Sequence, residues 1–485
     1  MKYIYKILFI GALTLTLLTV SSCNKFLDVR PVGELPSDQL LKDAQGFESA
    51  LFGAYASLNN KALYGEKLSH EMIEILAQYF HVSGNEFVTS LVKYDYSHSL
   101  VESAVNEVWG KMYKNISNVN NVIISLEKFS PESLRYYNIY KGEALGLRAF
   151  MHFDLLRLFL DGAQGDTQDV GIPYSTDFSL TPSAIVNADK VYELIEKDLL
   201  EAEELLLEDE QYISYPKVNP AEPFLRDRET HFNLYAVQAT LARMYFHKGD
   251  YQNAHSYAKK VVDAGKHELL DKADVASGKF KGVLFPGEVI FGVYSTEYFK
   301  TVHDRFLLET SYFSYNLRDD IKSIYEKEEQ GHDYRWEGFI RTPSTTAGKL
   351  RFVKLIDQYQ VEDREYQRPE GLIVGINMIR LPEMYYIAAE SVLQDDPAQA
   401  RAYFDEVLNS RGLTPLAERQ GEASRLTVER ITEERYKEFI GEGQTFFNYK
   451  RLNLDIKRTD GTTVPASKDI FVWPVPLDEK EYNNQ

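Results

Sequence analysis

The chain of 485 residues contains one cysteine, Cys23. No second thiol can close a disulfide on it, so a disulfide-stapled scaffold is excluded. Positive charge is also short: 54 Lys and Arg against 73 Asp and Glu leave a formal net charge of −19. That balance argues against nucleic acid as a partner, because such binding is dominated by phosphate neutralisation. The 17 prolines do not suggest long disordered tracts. Beyond the N-terminal segment, no apolar run approaches the roughly 20 residues of a membrane span. Catalytic signatures are missing as well. The chain has no Gly-x-Ser-x-Gly elbow, no Gly-x-x-x-x-Gly-Lys loop and no Gly-x-Gly-x-x-Gly turn, which leaves nucleophile-elbow hydrolysis and nucleotide binding without support. His70-Glu71-Met72-Ile73-Glu74 comes near a zinc-protease motif, but a glutamate stands where the second imidazole must be. The segment is expected to be helix surface. Carboxylate pairs abound, yet 73 acids guarantee pairs by chance, so no glycosidase can be read from them. The sequence offers no catalytic residue, no cofactor site and no metal site.

What is present begins with an export signal. Lys2 and Lys6 precede an apolar stretch from Ile7 to Val20, and Val20-Ser21-Ser22-Cys23 follows. Fourteen apolar-run residues are too few to span a bilayer, so residues 1–22 are expected to be a removable lipoprotein signal peptide. Small residues ahead of the thiol admit a peptidase, and Cys23 is the expected lipid attachment. The alternative is an ordinary secretory signal with an incidental cysteine.

Residues 23–485 are expected to form one body. Its N-terminal part, 24–261, starts extended through Pro31, Gly33 and Pro36 and then turns helical. Phe47, Leu51, Tyr55 and Leu58 recur at helical spacing, as do Val108, Met112, Ile116, Val119 and Ile123. Tyr140–Leu160 and Asp189–Leu207 read as further helices, the last with an acidic outer face. Leu241-Ala242, Tyr245, Gly249, Tyr251, Ala254, Ala258 and Val261 have the spacing of a tetratricopeptide helix pair, and Ile387-Ala388, Ser391, Ala400, Phe404 and Val407 repeat it. Such pairs must stack to bury their apolar faces. Between them, 262–375 changes character: Val283 to Val293 predicts short strands around a turn, and aromatic clusters sit in loop-like contexts. Residues 376–485 return to helix and end in a tail. The fold class is therefore mainly α, a tetratricopeptide-like scaffold with an irregular, loop-rich lobe.

Several blocks together resemble the SusD/RagB family of outer-membrane nutrient-binding lipoproteins of Bacteroidetes. They are Cys23-Asn24-Lys25-Phe26-Leu27-Asp28, Trp109 with Tyr113 and Asn120, Gly142-Glu143-Ala144 with Arg148, Gly171-Ile172-Pro173, Arg380-Leu381 with Glu383, Glu434-Arg435 with Glu438, Glu442-Gly443, and Trp473-Pro474. Their order covers nearly the whole chain. Where the family usually carries an arginine and an aspartate after Glu442-Gly443, this chain has Thr445 and Asn448. Both halves of a structural pair are then neutral together, which costs less than one unpartnered charge. The resemblance implies a surface-exposed, lipid-anchored outer-membrane protein that binds an oligosaccharide, or in some members an oligopeptide, and delivers it to a SusC-like TonB-dependent transporter. It implies binding without catalysis.

Sugars stack their C–H faces on aromatic rings while polar side chains take the hydroxyls. Trp109 lies at helical spacing and Trp473 beside Pro474, so both are expected to pack internally. Trp336 sits in a polar, loop-like context. The ligand-binding residues expected from this and from the family's ligand-bearing segments are Trp336, Tyr312, Tyr315, Tyr79, Phe80, Asn85 and Tyr96, with His81 and Tyr94 nearby. Asp333 and Arg335 resemble a recurrent family pair and are expected to brace the loop. Two other classes remain: a tetratricopeptide assembly lipoprotein that binds a partner protein, and a glycan-degrading lipoprotein.

Overall fold

The computed structural model describes residues 40–161, 171–179, 181–218, 220–278, 280–308, 314–326, 331–342, 349–357, 359 and 368–479. Cys23, the stretch 24–39 and Tyr312 lie outside them. Residues 1–42 and 43–485 separate into two units, and the second carries every element described below.

Among the described residues the scaffold is built from the helices α1 (Ala44–Leu58), α2 (Ser99–Leu126), α3 (Tyr137–Phe159), α4 (Ala188–Leu205), α5 (Leu234–Lys248), α6 (Tyr251–Asp263), α7 (Leu381–Val392), α8 (Pro397–Ser410), α9 (Val428–Phe439) and α10 (Thr445–Leu452). Most begin where a short polar side chain can satisfy a first-turn amide. Asp43, Asn187, Asn233, Asp250, Asp396 and Thr427 each accept from the amide three residues on. Between α5 and α6, Gly249 adopts φ +84 and the Asp250 amide reaches back 2.9 Å to the Tyr245 carbonyl. That closure stops one helix and starts its antiparallel partner within two residues. Ala242, Ala254 and Ala258 are fully buried in this pair, and Ala388, Ala389 and Ala400 in the pair α7–α8. The chain is mainly α, with helix pairs of the tetratricopeptide kind.

Each helix from α1 to α6 packs on the next. The stacking then jumps: α6 packs on α7, although residues 264–380 intervene, and α7 packs on α8. Helix α3 is buried on nearly every side, as expected of a central helix in a large body. Its charges are accordingly paired. Arg148 holds Asp198 of α4 at 2.6 and 2.8 Å and the Asn120 amide oxygen of α2 at 3.2 Å, so three consecutive helices meet at one guanidinium.

The intervening lobe leaves α6 and returns through a strand. Four strands matter here: β1 (Phe80–Ser83), β2 (Val289–Tyr294), β3 (Ser314–Leu317) and β4 (Gly375–Arg380). β1 pairs antiparallel with β3, and β2 with β4. The sequence suggests a local turn flanked by strands at 283–293. Instead Val283 bridges Val374 and β2 pairs with β4, so both sides of that turn are held by the returning chain. β4 runs directly into α7, which seats the lobe on the scaffold.

Candidate functional site

Four of the predicted binding rings are core, which corrects the expectation that they stand open in loops. Tyr79 is 0% exposed, Tyr315 2%, Phe80 3% and Tyr96 8%. The β1–β3 ladder places Val82 opposite Tyr315, and Phe80 stacks on Tyr315 at 5.7 Å between centroids, with Phe306 and Phe352 closing around it. The structure thus gathers Tyr79, Phe80 and Tyr315, but into packing. Two of the hydroxyls are spent internally: Tyr79 donates to the Tyr436 carbonyl at 2.7 Å, and Tyr96 to that of Ile470 at 2.8 Å. Burial raises both phenols well above their usual range. Neighbouring Tyr94 is buried too, and its phenol is pushed up to about 12. Asn85 is exposed, but its side chain caps the helix Glu86–Val92 by accepting from Val88 N.

Trp336 keeps a half-buried position at the surface. It lies on the one-turn helix Arg335–Phe339, with its ring 6.0 Å from that of Tyr325. The loop ahead pairs with the end of α8: Gly331 bridges Leu413, and the amides of His332 and Tyr334 donate to the carbonyls of Gly412 and Arg411. Half-buried Tyr334 meets the His332 ring edge-on at 4.9 Å, and exposed His332 lies 2.6 Å from Glu337. The polar context expected around Trp336 is there in half-buried Tyr334 and exposed His332 and Glu337, which sequence reasoning did not put forward as binding residues.

What fixes this loop is charge. Arg335 is fully buried and holds Asp333 at 2.8 Å, Glu434 at 2.6 Å and Glu438 at 3.2 Å. The bracing role expected of Asp333 and Arg335 matches this geometry. Around them Arg380, Arg411, Lys354 and Lys437 meet Glu288, Glu438, Glu442 and Glu434. Burial alone would raise Glu438, but Arg411 and Arg380 outweigh it and hold the carboxyl well below the usual range. Glu434 is likewise held at about 2, because Lys437 and Arg335 overcome its desolvation. Burial brings Lys354 down to about 8, a fall partly offset by Glu442. Several residues of the sequence blocks quoted above meet in this cluster. Thr445 contacts the Tyr79 hydroxyl, and Asn448 accepts from the Arg451 guanidinium at 3.0 Å, so each neutral side chain has a partner of its own.

His70, expected on a helix surface, is wholly buried ahead of the short helix Met72–Leu76. Its ring packs on Tyr298 at 5.1 Å and Ser69 lies 3.1 Å from Nδ1. Burial lowers it to about 3, with Arg305 adding to the fall, so it is neutral core. Among the described residues, no group of three His, Cys, Asp or Glu could hold a metal ion, and no helix is long and apolar enough to cross a membrane. A clamped loop offering an indole beside polar groups suits reversible capture of a ligand.

Residues 25–246 match the SusD-like family described as starch-binding associating with outer membrane, and residues 305–479 match the SusD family. A SusD-like protein P2 of Formosa agariphila is 26% identical over 267 residues, which span 53% of this chain and 46% of that relative. The fold matches a SusD superfamily protein from Bacteroides thetaiotaomicron with a TM-score of 0.73 at 22% identity, over 91% of this chain and 98% of the other. A laminarin-binding SusD-like protein matches with a TM-score of 0.66 at 18% identity, over 91% and 98%.

Proposed function

The chain belongs to the SusD/RagB family, and on that premise we propose that it captures oligosaccharide at the cell surface and hands it to a partner TonB-dependent outer-membrane transporter. SusD-like proteins bind and do not catalyse, and they associate with the outer membrane. The observation that carries the reading is the pair of family matches over 25–246 and 305–479. The laminarin-binding neighbour supports a glycan as cargo. Lipid attachment at Cys23 would place the body on the membrane without a spanning helix. Of the seven residues expected at the cargo site, Trp336 has the position a stacking platform needs, with His332 and Glu337 beside it in sequence as hydrogen-bonding partners.

The test is a glycan array run beside an oligopeptide library on the purified protein, together with affinity isolation from native membranes. Binding to a glycan and recovery of a large β-barrel transporter are the expected results. Binding only to peptides would move the cargo class. Recovery of no transporter would remove the hand-over step.

A further inference from the structure

A cleft of about 470 Å³ opens in the body away from Trp336, which does not line it. Its walls are segments 212–218 and 227–233 before α5, residues 266–267 after α6, and segments 284–289 and 370–373 of the lobe. The volume falls in the range of small-molecule sites, about 300–1,000 Å³.

The chemistry of the walls narrows the occupant. Tyr215 is 43% exposed at the mouth. Its ring lies against Gly287, where a Cβ would come within 3.1 Å of it at φ +77. A glycine there lets the ring lie flat on the lobe while part of it stays open to solvent. Charges in the cleft are matched. Lys217 holds Asp227 at 2.7 Å and also binds Glu229. Arg228 is fully buried against Glu143 and Asp209, each at 2.7 Å. Lys266 stands 3.8 Å from Glu210, and Glu370 adds a further acid to the lining. With the cations so engaged, and a chain of net charge −19, a phosphate or sulfate finds no surplus positive field. The Lys217 ammonium beside two carboxylates instead offers donor and acceptors side by side, a pattern that fits adjacent hydroxyls. Open phenol surface supplies the apolar contact.

We propose that this cleft is a second carbohydrate site, taking a short neutral oligosaccharide against Tyr215 with its hydroxyls on Lys217, Asp227 and Glu229. It goes beyond the proposed function, because it is separate from the Trp336 surface and does not depend on which cargo the transporter takes.

The test is calorimetric titration of the full-length protein with maltotriose, cellotriose and xylotriose, using the wild type and the variants Tyr215→Ala, Tyr215→Phe and Trp336→Ala. The expected result is that at least one trisaccharide binds the wild type, tenfold or more weakly to Tyr215→Ala and unchanged to Tyr215→Phe, with any loss in Trp336→Ala smaller than that in Tyr215→Ala. Tyr215 is exposed, so its loss should leave thermal unfolding unchanged, and that is measured in parallel. No binding of any of the three sugars to the wild type overturns the proposal, as does wild-type affinity in Tyr215→Ala. Loss in Trp336→Ala alone also overturns it while leaving the proposed function standing. Equal loss in both variants overturns the claim of a separate site.

Discussion

Arg335 Nη2 lies 2.6 Å from Glu434 Oε2, and through this contact the loop bearing Trp336 is fastened to α9. The pair is almost wholly out of water. Removing one partner of such a pair leaves the other charge buried and uncompensated, at roughly 3–5 kcal/mol. Arg335→Ala is therefore expected to lower the free energy of unfolding by about that amount, measured by urea denaturation. A loss below about 1 kcal/mol would place the stability of the loop elsewhere.

Trp336→Ala tests the cargo surface. Losing one stacking ring is expected to weaken glycan binding by about tenfold to a hundredfold, by analogy with aromatic hot spots that contribute roughly 1–3 kcal/mol. Calorimetric titration with a glycan identified on the array reads this, with thermal unfolding as the control. Unchanged affinity in a folded variant moves the cargo site off this loop.

Glu74 makes stability depend on pH. Burial lifts its carboxyl from 4.5 to about 8, although the Gly443 amide donates to it at 2.7 Å. Between those values the folded chain keeps a proton that the unfolded chain releases. Stability from this group is thus complete below about pH 4.5 and is lost as pH rises through about 8. Relative to wild type, Glu74→Gln is expected to gain in melting temperature steadily across that window. A difference that stays flat with pH would show that Glu74 does not titrate there.

Ala254 is fully buried on α6, which packs against both α5 and α7. Ala254→Trp is expected to overpack that crossing and cost on the order of 1–3 kcal/mol or more. Unaltered thermal unfolding would argue against a close approach of these helices.

For the anchor, Cys23→Ser is expected to release the protein from the membrane fraction and abolish incorporation of labelled palmitate. A variant that stays membrane-bound, together with a native protein that takes up no palmitate, would remove the lipid attachment.

The scaffold was legible because its signals are local. Helical periodicity acts within a few positions, and the buried alanines of α5–α6 followed from repeat spacing. The binding surface was far less legible. Tyr79 and Phe80 sit in a polar stretch that resembles a loop, yet β1 is covered by β3 from more than two hundred residues later. Long-range pairing of that kind leaves no mark on local pattern. His70 misled for the same reason, since Tyr298 and Phe306 bury it from outside its own neighbourhood. The segment around Tyr212 and Tyr215 carried a signal that went unread: two tyrosines beside Pro216 and Pro220, away from any helical period.

Tyr294 and Gly375 face each other across the β2–β4 ladder, so the two ends of the span 295–374 are brought together. Lengthening a loop that is already closed costs only about 0.6 kcal/mol per doubling of its length. A lineage can therefore lengthen this span wherever β3 stays on β1 and Arg335 stays on Glu434, while α6 still finds α7. New specificities can then arise by insertion between those fastened points, with the stacked helices inherited intact.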